Sequence, residues 1–145
     1  MLYVKSLNTA LHEMMSKDRQ VILIGEDILD PYGGAFKVSK GLSTQFPKQV
    51  ISTPISEQTI TGAAIGMAMR GLKPVVEIMF GDFITLCTEQ IVNQATKYQW
   101  MFNGQVTVPI VIRTPVGGGR GYGPCLLYTS DAADDSLRVD LGGRR

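Results

Sequence analysis

Apolar residues recur at helical spacing at the start of the chain. Between Val4 and Met15, the residues Leu7, Leu11, Met14 and Met15 fall on one face, so this segment is predicted as an amphipathic helix. The pattern then changes. Val21 to Gly25, VILIG, is short and continuously apolar, as a strand covered on both faces of a parallel sheet must be. Asp30-Pro31-Tyr32-Gly33-Gly34 carries turn chemistry. Val38 to Phe46 reads as a short helix ended by Pro47, and Val50 to Ser52 as a second strand. Ser56 stands where a helix cap would, with the helix running through Arg70 and Gly71 as its C-terminal stop. Within that helix Gly62 and Gly66, with Ala63, Ala64 and Ala68 nearby, make a thin face open to close approach by another backbone. Pro74 to Ile78 is a third strand and Phe83 to Trp100 a long helix. Val108 to Ile112 is a fourth buried strand, leading into the glycine-rich TPVGGGRGYGP. Strands alternating with helices predict an α/β fold, an open and mostly parallel sheet with helices on both faces. Ligands of such sheets gather at the carboxyl ends of the strands.

Composition narrows the class without naming a chemistry. A chain of 145 residues holds one domain's worth of core. Its 14 basic and 13 acidic residues leave a net charge of +1, with no surplus for a nucleic acid partner. No apolar run approaches the roughly 20 residues of a bilayer span, so no membrane role is expected. The start, MLYVKSLNTALHEMM, lacks the basic, apolar and small-residue sections of a signal peptide. The two cysteines, Cys87 and Cys125, have neither CxxC spacing nor a nearby histidine, which argues against zinc or a disulfide scaffold and for a reducing cytoplasm.

Residues that carry chemistry each have a plain alternative. The loop Gly117 to Gly123 invites a phosphate-binding reading but fails the GxGxxG spacing. Counting from Gly117, Gly119 or Gly121, the last glycine's place is held by Tyr122, Pro124 or Leu126. Glu57, in a first helical turn, is accounted for by the helix dipole alone. His12, the only histidine, reads as a surface or subunit-packing residue. Glu77 and Asp82 are either site residues or members of a loop hydrogen-bond network, the latter favoured for Asp82. Phe80 and Phe83 are core, or one of them is a stacking wall for a flat ligand.

Several stretches taken together go further. GEDILDPYGGAFKVSKGL, TPISEQTITGAAIGMAMRGLKPVVEIMFGDF, EQIVNQATKY and VPIVIRTPVGGGRGYGP resemble, in order and spacing, the beta subunits of thiamine diphosphate-dependent 2-oxoacid dehydrogenase E1 components, of pyruvate, branched-chain and acetoin type. The resemblance runs from Met1 to Pro124 and implies a transketolase-like pyrimidine-binding domain. It implies that Glu57, in the ISE motif, contacts the aminopyrimidine ring of thiamine diphosphate. A carboxyl hydrogen-bonded to the ring nitrogen favours the imino tautomer, whose exocyclic nitrogen can take the thiazolium C2 proton, provided its own protonation is poised. It further implies that the Phe83 ring packs on the pyrimidine, and that Glu26, in GED, lies near the cofactor. Ile110 would lend a backbone carbonyl to a structural potassium ion. The diphosphate and its magnesium belong, in this family, to the alpha subunit's GDG motif, and no GDG occurs in this chain. The partners implied are the E1 alpha subunit, a second beta subunit and a lipoyl-bearing acyltransferase E2. The rivals are a fragment of transketolase or deoxyxylulose-phosphate synthase, and a non-catalytic interaction module.

After Pro124 the resemblance ends. Cys125 and Leu126 stand where the family has the Thr and active-site His of THSQS. The tail Cys125 to Arg145 is expected to be no part of the domain. The translated transposase adapter of sequencing-library preparation reads Cys-Leu-Leu-Tyr-Thr-Ser-Asp-Ala-Ala-Asp, which matches Cys125 to Asp134. The expected organisation is therefore a truncated pyrimidine-binding domain over 1–124, inactive by itself, and a translated adapter over 125–145.

Overall fold

Four parallel strands, in the order β2-β1-β3-β4, form the sheet: β1 (Val21–Glu26), β2 (Val50–Thr53), β3 (Lys73–Glu77) and β4 (Val111–Arg113). The computed structural model describes residues 3–116, all but the last within the compact unit Met1–Pro115. Leu23 lies opposite Val50 on one side and Val75 on the other, and Glu77 opposite Arg113. Every residue of β1 is buried, and β3 is buried from Pro74 onward. Because side chains alternate along a strand, the same run feeds two cores. Val21, Leu23 and Val75 join Leu11, Met15, Ile28 and Leu42 on one face. Ile24 and Val76 join Ile60, Ala64, Ile78 and Cys87 on the other. Helix α1 (Tyr3–Lys17) and the short α2 (Leu42–Gln45) thus cover the first face, and α3 (Glu57–Met69) the second. The α/β architecture read from the sequence is the one observed. No helix among the described residues is long and apolar enough to cross a membrane.

The departures are local and have physical causes. On α1, Leu11 and Met15 are buried and Leu7 packs beside them, whereas Met14 is 43% exposed. The contact line follows the i, i+4 row, and Met14 lies off it. The helix expected over Val38–Phe46 contracts to Leu42–Gln45 because Gly41, at φ +86, takes a left-handed conformation that no α-helix interior accommodates. The long helix expected from Phe83 is three pieces: a 3-10 segment Gly81–Cys87, a π segment Gln90–Ala95, and α4 (Tyr98–Met101). Threonines punctuate it. Thr85, Thr88 and Thr96 donate their hydroxyls to the carbonyls of Asp82, Thr85 and Val92, in competition with the helical ladder. At the π turn the Thr96 amide reaches five residues back to Ile91.

Strand β4 begins later than expected and is not fully buried; Val111 is 55% exposed. Pro109 brings no amide to a ladder, and β4 is an edge strand among the described residues. Ser56 precedes α3 as expected but makes no side-chain cap; its hydroxyl donates to Thr59 Oγ1 at 2.7 Å. Gly71, at φ +90, does end the helix, with the Leu72 amide returning to the Met67 carbonyl. The thin face at Gly62 and Gly66 receives no backbone among the described residues.

Candidate cofactor site

Two buried carboxyls meet at the carboxyl end of the sheet. Glu26 is the last residue of β1, 4% exposed, and Glu57 the first residue of α3, 7% exposed. Their convergence follows from the topology. β1 is central, and β2 beside it returns the chain through Thr53, opposite Glu26, directly into α3. Burial pushes the Glu26 carboxyl above its ordinary pKa, and the negative charge of Glu57 pushes it further. A hydrogen bond from the Ser56 amide opposes this, and Asp27 adds a smaller upward push. Glu26 Oε1 is buried with no hydrogen-bond partner among the described residues. An acceptor or proton donor kept dry and unsatisfied is costly to a fold, and it marks a place where another polar group fits.

Beside the carboxyls lies the 3-10 segment. Phe83 is half-buried and packs on the core cluster that includes Ile24, Ile60 and Cys87. Of the two readings left open for this ring, the packing shows the core one, with part of the ring still accessible. Its neighbour Phe80 stands edge-on to it, with ring centroids 6.0 Å apart, and edge-on to Phe36 at the same distance. Cys87, fully buried, closes the segment. Its thiol lies 3.5 Å from the Glu57 carbonyl and 3.9 Å from the Phe83 carbonyl, so one hydrogen ties the Phe83 turn to the start of α3. Burial raises the Cys87 pKa, with Glu57 and Glu26 adding to it, so this thiol is a packing and donor group. Sequence reasoning gave Cys87 no such place; its lack of cysteine or histidine partners spoke only against metal.

The remaining candidates are placed apart. Ile110 precedes β4, one residue before the Val75–Val111 pair, toward the amino end of the sheet. At about 3.3 Å per residue this is roughly 13 Å below the level of Glu26 along the strands. His12 hydrogen-bonds Gln45 at 2.8 Å and packs on Phe46, joining α1 to α2. Of the two loop-network candidates, Glu77 is the one tied in, to Ser39 and Arg113. Asp30 anchors a second network that sequence reasoning missed beyond its turn chemistry. Its carboxylate accepts from the Gly41 and Thr44 amides and from the Ser43 and Thr44 hydroxyls, which hold its pKa well below the carboxylate range. The glycine-rich loop beyond Val116, Cys125, Leu126 and the rest of the tail lie outside the described residues.

The group Glu26, Glu57 and Phe83 suits a flat, polar heterocycle. It offers two buried carboxyls and, nearby, an aromatic side chain. Among the described residues no three His, Cys, Asp or Glu side chains gather as a metal site. Comparison with known proteins identifies the family. Residues 1–123 match the family described as transketolase, pyrimidine binding domain. The chain is 42% identical over 123 residues to the acetoin:2,6-dichlorophenolindophenol oxidoreductase subunit beta of Cupriavidus necator, covering 79% of this chain and 36% of that protein. It is 46% identical over 120 residues to the mitochondrial pyruvate dehydrogenase E1 component subunit beta-2 of Oryza sativa, covering 82% and 32%. With the 2-oxoisovalerate dehydrogenase subunit beta of Bacillus subtilis the identity is 41% over 120 residues, covering 82% and 36%. The chain thus spans about a third of the length of these relatives. With its parallel sheet and 123 matched residues, it belongs to the transketolase pyrimidine-binding domain family.

Proposed function

We propose that this chain is the front part of the beta subunit of a thiamine diphosphate-dependent 2-oxoacid dehydrogenase E1, and that Glu57, Glu26 and Phe83 receive the aminopyrimidine half of the cofactor. The observation that carries the reading is the pair of buried carboxyls at the end of β1 and the start of α3, one with an unsatisfied oxygen. Glu57 would hydrogen-bond the pyrimidine ring nitrogen. Glu26, with its raised pKa, presents a carboxyl that can keep a proton in the same dry space. Phe83 orients the ring and excludes water from one face. When bound, the cofactor supplies the electron sink for loss of carbon dioxide from a 2-oxo acid.

In this reading the alpha subunit holds the diphosphate and magnesium, and Ile110 lends its carbonyl to a potassium ion. A second beta subunit completes the assembly, and a lipoyl-bearing E2 accepts the acyl group. The domain ends at Pro124, the tail from Cys125 is translated adapter, and the chain as it stands is inactive alone. The intact protein is placed in the cytoplasm. The test is to express the full-length gene with its alpha subunit and follow carbon dioxide release from pyruvate and from branched-chain 2-oxo acids such as 2-oxoisovalerate. Cofactor-dependent release from a 2-oxo acid is expected. A complex that binds thiamine diphosphate yet turns over none of these would overturn the proposal.

A further inference from the structure

Two segments converge on one carboxylate outside the pair just described. Glu77, at the end of β3 and 5% exposed, accepts a 2.5 Å hydrogen bond from the fully buried Ser39 hydroxyl and an ion-paired hydrogen bond from Arg113 of β4. The loop that brings Ser39 fits only because Gly34 lies against the same group. A Cβ there would fall 2.6 Å from Glu77 Oε1, and its φ of +78 is glycine's in any case. That loop folds back on the end of β1, the Gly34 amide donating to the Asp27 carbonyl at 3.0 Å.

Two routes lead from Glu77 to the 3-10 segment that bears Phe83. Through Ser39 the loop presents Phe36, whose ring stands edge-on to Phe80, and Phe80 edge-on to Phe83. Through Arg113, the end of β4 is fixed, and from there the Pro115 carbonyl accepts from the amide of Gly81, the first residue of the segment. We infer that Glu77 is a positioning residue that sets the Phe83 ring through Ser39 and Arg113. The inference rests on the reading of Phe83 as the pyrimidine wall. Packed edge-on rings have few alternative arrangements, so a shift of Phe36 is passed on rather than absorbed.

Ser39→Ala removes the loop anchor and leaves the Glu77–Arg113 pair, and so is preferred to truncating Glu77, which would strand a half-buried guanidinium. In the full-length complex with the alpha subunit, before cofactor is added, Ser39→Ala is expected to speed amide exchange over both 33–39 and 81–87. Calorimetric titration should show thiamine diphosphate binding weakened by about three- to thirty-fold, the range of energetic coupling through packed networks. The effect should vanish in a Phe83→Ala background. Phe36→Leu should repeat the result from the aromatic end, and it carries the test should Ser39→Ala not fold. Faster exchange confined to 33–39, or an unchanged binding constant in both variants, overturns the inference. Unchanged binding in Phe83→Ala itself would overturn the pyrimidine-wall reading separately, while the exchange data still decide the coupling.

Discussion

Glu26 is the residue on which the environment acts most plainly. Its raised pKa means the folded chain holds the proton more tightly than the unfolded chain. Its contribution therefore favours folding below the unfolded glutamate value near ~4.3 and is lost as pH rises through the folded pKa. In Glu26→Gln that slope should disappear. Denaturant midpoints of wild type and variant, compared from pH 4 upward, are expected to move in the variant's favour as pH rises. A constant difference would show that Glu26 is not buried as described. Asp30 has the opposite sign. Its depressed pKa stabilises the fold above the unfolded aspartate value near ~3.9, an advantage lost as pH falls below it. Asp30→Asn should cost about 1.5–3 kcal/mol at pH 7, the worth of a charged hydrogen bond, with the difference shrinking in acid.

At the scale of elements, the sequence pattern was informative where one period held over a whole segment. VILIG announced a buried central strand because both faces of β1 pack on cores, and Glu57 to Gly71 announced α3 and its end. It was less informative where tertiary contacts override the period. The threonines of 85–96 interrupt an otherwise helical run, and the positive-φ loop over 33–41 consumes what reads as helix. The face of α1 gives a direct check. Met15→Ala should cost about 2–5 kcal/mol as a core truncation, and Met14→Ala less than about 0.5, by chemical denaturation. Gly34→Ala should be severely destabilising, since strain at φ +78 adds to a clash with the Glu77 carboxylate. A Gly34→Ala variant of ordinary stability would contradict the packing of that loop.

For the molecule as a whole, the candidate site joins the first residue of one helix to the last residue of the central strand and to a turn after β3. No local pattern in the sequence brings these together. Glu57 alone is a helix-dipole residue and Phe83 alone is core; the parallel topology brings Glu57 beside Glu26, and Cys87 ties the Phe83 segment to Glu57. The resemblance to E1 beta subunits supplied the roles; the geometry added Cys87 and decided for Glu77 between the two readings that the sequence had left open. In the function proposed above, Glu57 governs proton movement on the cofactor. The most direct measurement is the rate at which the C2 proton of thiamine diphosphate exchanges with deuterium in the full-length complex without substrate. Glu57→Gln is expected to slow this exchange by at least about a hundredfold, the usual worth of a positioned acid or base, with cofactor still bound. Exchange at the wild-type rate in cofactor-loaded Glu57→Gln would contradict the account.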